Sequence, residues 1–312
     1  MIPIHQMKII QIDITNACVN RCSNCTRLVG HHAKPFYMDF ETFKKAVDSL
    51  ADFPGMVGTI GGEPLLHPEF ERFALYMQRQ IPDKKRRGLW STVPESLSRK
   101  YGALIKEVYG NLFLNDHSID AILHQPVLVA AEEAVPDPGK MWSLIDNCWV
   151  QTYWSATVTP KGAFFCEVAA AFDMLFDGPG GWPIEPGWWQ REPHQFAEQK
   201  ERWCPGCGCA VPLPRRKSTQ ELDDVSPGNL KRLQRLVPPK GRAKRVEIFT
   251  GEALPKDWNP HPNWYMSEVE EEAQYRKRIA DRLEAAPDGT AQDAKTLGMT
   301  TQDVPARATP RS

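Results

Sequence analysis

Along the first 115 residues, short apolar runs alternate with stretches whose apolar positions recur at helical spacing. Residues 7–15 (MKIIQIDIT) gather Ile9, Ile10, Ile12 and Ile14 in a β-branched run that stops at Thr15-Asn16, which predicts a buried strand. Asp39 is placed to cap a helix in which Phe40, Phe43, Val47 and Leu50 share one face, and Pro54-Gly55 closes it. Met56–Ile60 predicts a second strand, ending in Gly61-Gly62-Glu63-Pro64. A helix started by Pro68 carries Phe70, Phe73, Ala74 and Met77; residues 88–93 follow as a strand, 97–108 as a helix and 111–115 as a fourth strand. Such alternation predicts an α/β fold built on a parallel sheet, with reactive residues at the C-terminal ends of the strands.

The pattern changes near residue 140. Seven of the ten tryptophans fall between 142 and 203, interleaved with glycine and proline (GPGGWPIEPGWW), as in a small loop-rich domain whose core needs help from metal. Within it, residues 149–158 and 163–168 read as strands around the turn Thr159-Pro160-Lys161-Gly162. After Leu213 the chain turns polar and proline-rich, with a short helix near 229–236, a strand near 245–249 and a helix over 268–284. Ser267 and Glu270 form a capping box for that helix, and residues 286–312 have a disordered composition. The expected division is therefore 1–140, 141–213, 214–285 and 286–312.

Composition narrows the class. Hydrophobic residues at 41% and charged residues at 25% of 312 belong to a soluble globular chain. The net charge of −1 gives no general electrostatic reason to bind nucleic acid or an anionic membrane. No signal-peptide core and no run of 18 apolar residues occurs, so the expectation is a cytoplasmic protein with no membrane partner. In that reducing compartment the eight cysteines point to metal or redox work ahead of disulfides.

Cys18-x3-Cys22-x2-Cys25, directly after a strand, puts three thiolates on one tight loop. A cubane iron–sulfur cluster normally takes four, so three leave one iron open; zinc completed by His31 or His32 would use the same thiols. Gly61-Gly62-Glu63-Pro64 offers backbone carbonyls and the Glu63 carboxylate to a ligand ammonium group, or is simply a tight turn. Cys148, Cys166, Cys204, Cys207 and Cys209 suggest a second metal site, for which a zinc ribbon is the alternative.

The two motifs, each after a strand and in this order, resemble the radical S-adenosylmethionine (radical SAM) superfamily. The resemblance covers about residues 8–210 and implies a partial (β/α)6 TIM-like barrel. It implies that Cys18, Cys22 and Cys25 hold a [4Fe–4S] cluster whose open iron chelates SAM, with Gly61, Gly62 and Glu63 of the GGEP motif, which ends in Pro64, on its amino group. Ser91 matches a family position for a hydroxyl on the ribose. Reduction by a low-potential donor such as flavodoxin or ferredoxin would then yield a 5′-deoxyadenosyl radical that takes hydrogen from substrate. The family often has an aromatic residue before the third cysteine; here it is Asn24, which leaves the adenine contact unassigned. Cys148-x17-Cys166, flanking the hairpin turn, and Cys204-x2-Cys207 resemble the SPASM and shorter twitch modules. No cysteine follows Cys209, so one auxiliary [4Fe–4S] cluster is implied, with Cys207 as fourth ligand and Cys209 spare.

Only 17 residues precede Cys18, which favours a small polar substrate (sugar, cyclitol or nucleoside) over a peptide. The family analogue is deoxy-scyllo-inosamine dehydrogenase, which oxidises an aminocyclitol alcohol to a ketone. A peptide maturase and, outside the enzyme class, a non-catalytic zinc-binding interaction protein are the alternatives. An alcohol oxidation needs an acceptor for the hydroxyl proton; Asp116, His117 and Ser118 after the fourth strand, and His124, are candidates. Arg27 is placed either to pair with the SAM carboxylate or to face water. Lys84-Lys85-Arg86-Arg87 reads as a solvated turn, and the tryptophans around 182–189 as stacking surfaces or core filler.

Overall fold

A computed structural model describes residues 1–117, 123–153, 155–236, 245–251 and 272–284. Its strands are β1 (Ile9–Asp13), β2 (Met56–Ile60), β3 (Arg87–Ser91), β4 (Asn111–Leu114), β5 (Leu123–His124), β6 (Ser155–Thr159), β7 (Gly162–Phe164), β8 (Arg216–Lys217), β9 (Asp223–Val225) and β10 (Val246–Ile248). The central sheet has the order β4-β3-β2-β1-β6-β7. All its pairings are parallel except the β6–β7 hairpin. β1 is its middle: Ile10 lies opposite Val57 on one side and Ala156 on the other.

The alternation within β1 sorts its side chains. Ile10, Ile12 and Ile14 are fully buried in the main core, while Gln11 and Asp13, also buried, share the opposite face. Helices α1 (Phe40–Ser49), α2 (Phe70–Gln80) and α3 (Glu95–Val108) connect the first four strands. Asp39 caps α1 as its position predicts, its carboxylate accepting from the Thr42 amide at 2.8 Å. Phe43 of α1 stacks on Phe73 of α2 with centroids 4.2 Å apart, both fully buried. Burying each such ring contributes roughly 1.5–3 kcal/mol.

After β5 come α4 (Ala131–Ala134), α5 (Pro138–Asp146), α6 (Trp149–Tyr153), α7 (Glu167–Leu175), α8 (Ala197–Trp203) and α9 (Pro227–Leu236). Two expectations change here. The stretch 149–158 is helix α6 followed by β6, and 163–168 ends as a strand at Phe164, because EVAAAFDML forms α7 instead. A short, wholly buried apolar run has no amphipathic period to separate strand from helix. The hairpin also extends the central sheet through β1–β6 pairing, where a separate small domain was expected. Five strands of that sheet run parallel among the described residues, one short of a six-unit barrel.

Two tryptophans of the Gly/Pro-rich segment serve packing. Trp188 and Trp189 are buried against α1 and donate from their indoles to the Ser49 hydroxyl and carbonyl, both at 3.1 Å. The C-terminal helix Glu272–Glu284 lies against α3. Ser267, Glu270 and residues 286–312 lie outside the described residues. Among the described residues no helix is long and apolar enough to cross a membrane.

Candidate functional site

At the C-terminal ends of β1, β2 and β3, a cavity of about 100 Å³ brings together Cys18, Cys22, Cys25, Gly61, Gly62 and Ser91. The two sequence motifs are bonded to each other by backbone. The amides of Gly62 and Glu63 donate to the carbonyls of Thr15 and Ala17, both at 2.7 Å. A Cβ on Gly61 would lie 2.3 Å from the Thr15 carbonyl oxygen, and one on Gly62 2.4 Å from that of Ala17. The glycines are therefore required by the approach of the cysteine loop itself.

Glu63 is fully buried, and both its oxygens are engaged. One accepts from Leu65 N (3.1 Å) and Ser91 Oγ (2.7 Å), the other from Thr92 N (2.8 Å) and Thr92 Oγ1 (2.7 Å). Those four donors match the roughly four lone-pair positions of a carboxylate. Burial raises its pKa, and the bonds from Ser91 and Thr92 oppose that rise. Ser91 also accepts from Val93 N at 2.9 Å, so its hydroxyl is committed to holding Glu63 and the β3 turn. Pro64, buried, opens the short helical turn after Glu63.

Behind the cysteines lies a buried charge cluster. Arg27 Nη2 donates to Gln11 Oε1 at 2.7 Å and Glu167 Oε2 at 2.9 Å, while its Nε lies 3.3 Å from Asp13 Oδ2. Arg27 is two residues beyond Cys25, and Glu167 one beyond Cys166, so one ion pair links the two cysteine sites. Burial pushes the Asp13 carboxyl up to about 7, against the pull of Arg27. Burial works against the Arg27 charge as well, but Glu167 and Asp13 outweigh it and hold its pKa above the ordinary value.

The histidines and Asp116 separate. His117 and His124 line the cavity with their rings 4.8 Å apart, and His124 Nδ1 lies 2.7 Å from the Ser23 carbonyl. Burial, with His124 adding to it, pushes His117 down to about 3, so it is neutral near pH 7. Asp116 is turned to the C-terminal helix, 3.1 Å from Arg282 and 3.6 Å from Arg278. Ser118 lies outside the described residues.

Asn24 occupies the left-handed region (φ 48°), which its short polar side chain tolerates. Its side chain bonds Asp224 twice, from Nδ2 to Oδ2 at 2.8 Å and from the Asp224 amide to Oδ1 at 2.9 Å. Its own amide donates to Asp223, which also takes His31 Nε2 at 2.6 Å. The residue just before Cys25 thus clamps the cysteine loop onto β9. The same segment reaches the other cysteines, because Asn229 of α9 donates to the Gly206 carbonyl at 2.7 Å within the CPGC turn.

Cys148, Cys166, Cys204, Cys207 and Cys209 line a second, smaller cavity together with Phe172 and Trp203. Burial raises the thiol pKa values of Cys148, to about 12, and of Cys166 and Cys204, and neighbouring cysteines add to each rise. Cys207 differs: the Cys209 thiol and amide hydrogen-bond to its sulfur and lower its pKa. Within that pair Cys207 is thus the more acidic thiol. At the first site, burial pushes Cys18 up to about 12. Among the described residues no three Cys, His, Asp or Glu side chains close on a single-ion site. The donor sets, three thiols on one cavity and five on the other, fit thiophilic iron–sulfur groups, whose ligands must be deprotonated on binding.

Sequence reading missed Gln11, Asp13, Thr92, Glu167 and Asp223. The signal for the first two was present, since they are the polar alternates within the isoleucine run. Thr92, Glu167 and Asp223 carry no such local mark.

No protein-family model matches the chain, and no curated protein matches it. Among solved structures it is similar to BtrN in complex with AdoMet and 2-DOIA, at 17% identity and a TM-score of 0.38, over 64% of this chain and 88% of that one. It is also similar to BtrN in an open conformation, at 17% identity and a TM-score of 0.36, over 68% of this chain and 96% of that one.

Proposed function

We propose that this chain is a radical SAM oxidoreductase acting on a small polar substrate, with an electron-accepting iron–sulfur group at the five-cysteine site. The observation that carries the reading is the lock between the cysteine loop and GGEP, made by the Gly62 and Glu63 amides over one cavity at the strand ends. Cys18, Cys22 and Cys25 would hold a [4Fe–4S] cluster there, and Cys148, Cys166, Cys204 and Cys207 a second. With SAM bound, the first group supplies a carbon radical able to remove hydrogen from an unactivated position. Because the Glu63 carboxylate is already filled, the carbonyls of the glycine turn are its ammonium acceptors and Glu63 fixes their position. His124, on the cavity wall beside the half-buried His117, is placed to take a hydroxyl proton.

Anaerobic metal analysis tests this first. About eight irons and eight sulfides per chain are expected for two cubanes, whereas zinc at about two per chain would establish the interaction-protein alternative. Replacing Cys18, Cys22 and Cys25 together by Ala should abolish 5′-deoxyadenosine formation under strong reductant while about four irons remain. Continued 5′-deoxyadenosine formation by that variant would overturn the reading.

A further inference from the structure

Cys18 stands on the walls of two cavities. Besides the one at the strand ends, a larger cavity of about 430 Å³ reaches the same cysteine and is lined also by Arg21, Val29, His32, Pro35 and Leu66. Under the reading above, SAM and substrate fill the first cavity, so the electron that starts the reaction needs another approach to the cysteine loop. The larger cavity supplies one.

Its charge departs from that of the whole chain, whose net charge is −1. Arg21 and Arg245 share the wall with one carboxylate, Glu221, which lies 3.8 Å from Arg245. Arg21 is exposed and has no ion pair among the described residues, and Lys34, also exposed, precedes Pro35 of the wall. Burial, with His31 adding to it, holds His32 down to about 4, so it is neutral near pH 7. The local balance is therefore basic. Apolar groups lie among these cations. Val19, between Cys18 and Asn20 of the wall, is 51% exposed, and Tyr37 is 46% exposed. Tyr37 is held beside the wall: it bridges to Thr15, and the neighbouring Phe36 amide donates to Asn16 Oδ1 at 2.7 Å. Exposed aromatic and apolar side chains set among arginines have the composition of a protein interface. A basic surface steers acidic partners and rejects basic ones.

We propose that this cavity and its rim dock a small acidic electron-carrier protein, with Arg21, Lys34 and Arg245 placed around Val19 and Tyr37. One electron leaves the reduced carrier, which is oxidised by one, and reduces the cluster at Cys18 by one. That electron then passes to SAM as its C–S bond breaks, giving methionine and the 5′-deoxyadenosyl radical with no proton transferred. The proposal rests on the enzyme reading above and adds where its electron enters.

The test uses the anaerobically reconstituted full chain with an acidic flavodoxin as probe, titrated calorimetrically in its oxidised form without SAM. Wild type should bind it, and affinity should fall as salt is raised. Arg21→Glu/Arg245→Glu should weaken binding at least about tenfold at low salt, because like charges then meet. The same variant should form 5′-deoxyadenosine more slowly with reduced flavodoxin but at the wild-type rate with dithionite, which needs no docking surface. Unchanged flavodoxin affinity in the variant would overturn the proposal, as would an equal loss of rate with both reductants. Inorganic phosphate that binds wild type but not the variant, with flavodoxin affinity unaltered, would make this a small-anion site and overturn it too. If the double variant does not fold, Arg21→Glu alone decides by the same measurements. Failure of the enzyme reading shows separately, as no 5′-deoxyadenosine from wild type with dithionite.

Discussion

Glu63 fills its lone pairs with four donors from two other turns, so its substitution acts on geometry before charge. Glu63→Ala strands buried Ser91 and Thr92 groups, each charge-assisted bond contributing about 1.5–3 kcal/mol. SAM affinity, measured by anaerobic titration, should fall roughly ten- to a hundredfold, while Ser91→Ala, which removes one donor, should retain most of it. Asp13 gives a signed pH effect. Its folded pKa of about 7 exceeds the ordinary carboxyl value of 3.8, so the folded state holds the extra proton between them. Stability then falls as pH rises from about 4 to 7 and levels above, by at most about 4 kcal/mol. The urea midpoint of wild type should drop between pH 5 and 8, and that drop should shrink in Asp13→Asn. At this scale the cysteines were legible because their chemistry is unusual and their spacing short. Glu167 was not, since its carboxylate is tied to the site only through Arg27, which is distant from it in sequence.

Where an element buries one face, its sequence revealed it. Helix α1, with Phe43, Ala46 and Val47 turned inward, begins at the Asp39 cap, while Met56–Ile60, buried on both faces, is still the strand its β-branched residues predict. Where burial is complete on all sides, as in α7, periodicity vanishes and the strand expectation fails. The pairing of the cysteine loop with β9 was illegible for another reason: Asn24 and Asp224 are 200 residues apart, and neither belongs to a local pattern. That contact carries a prediction. Asn24→Ala leaves the three thiols in place but removes both side-chain bonds to β9, so the first site should lose iron on gel filtration faster than wild type. The second site should keep its complement, and iron counts with low-temperature EPR of the reduced protein will separate the two. Asp223→Ala, which also releases His31, should have the larger effect.

Across the whole molecule the two cysteine sites share one sheet, because the hairpin leading to Cys166 pairs directly with the strand leading to Cys18. The walls of the second site include Phe172 and Trp203 of the main core, so losing a metal group there should not unfold the chain. Cys204→Ala/Cys207→Ala is therefore expected to stay folded by tryptophan fluorescence and to make 5′-deoxyadenosine without matching oxidised product. Cys209→Ala alone should change neither yield. The central place of β1 also has a consequence for the chain as it is made. Its second neighbour is Ser155–Thr159, so a nascent chain carrying only the first four strands presents β1 as a bare, isoleucine-rich edge. At about 5–20 residues per second, that edge waits several seconds on the ribosome for its partner. Such an edge is a template for pairing between chains, so yield in a heterologous host should respond to chaperone supply and slow growth temperature more than to iron supply.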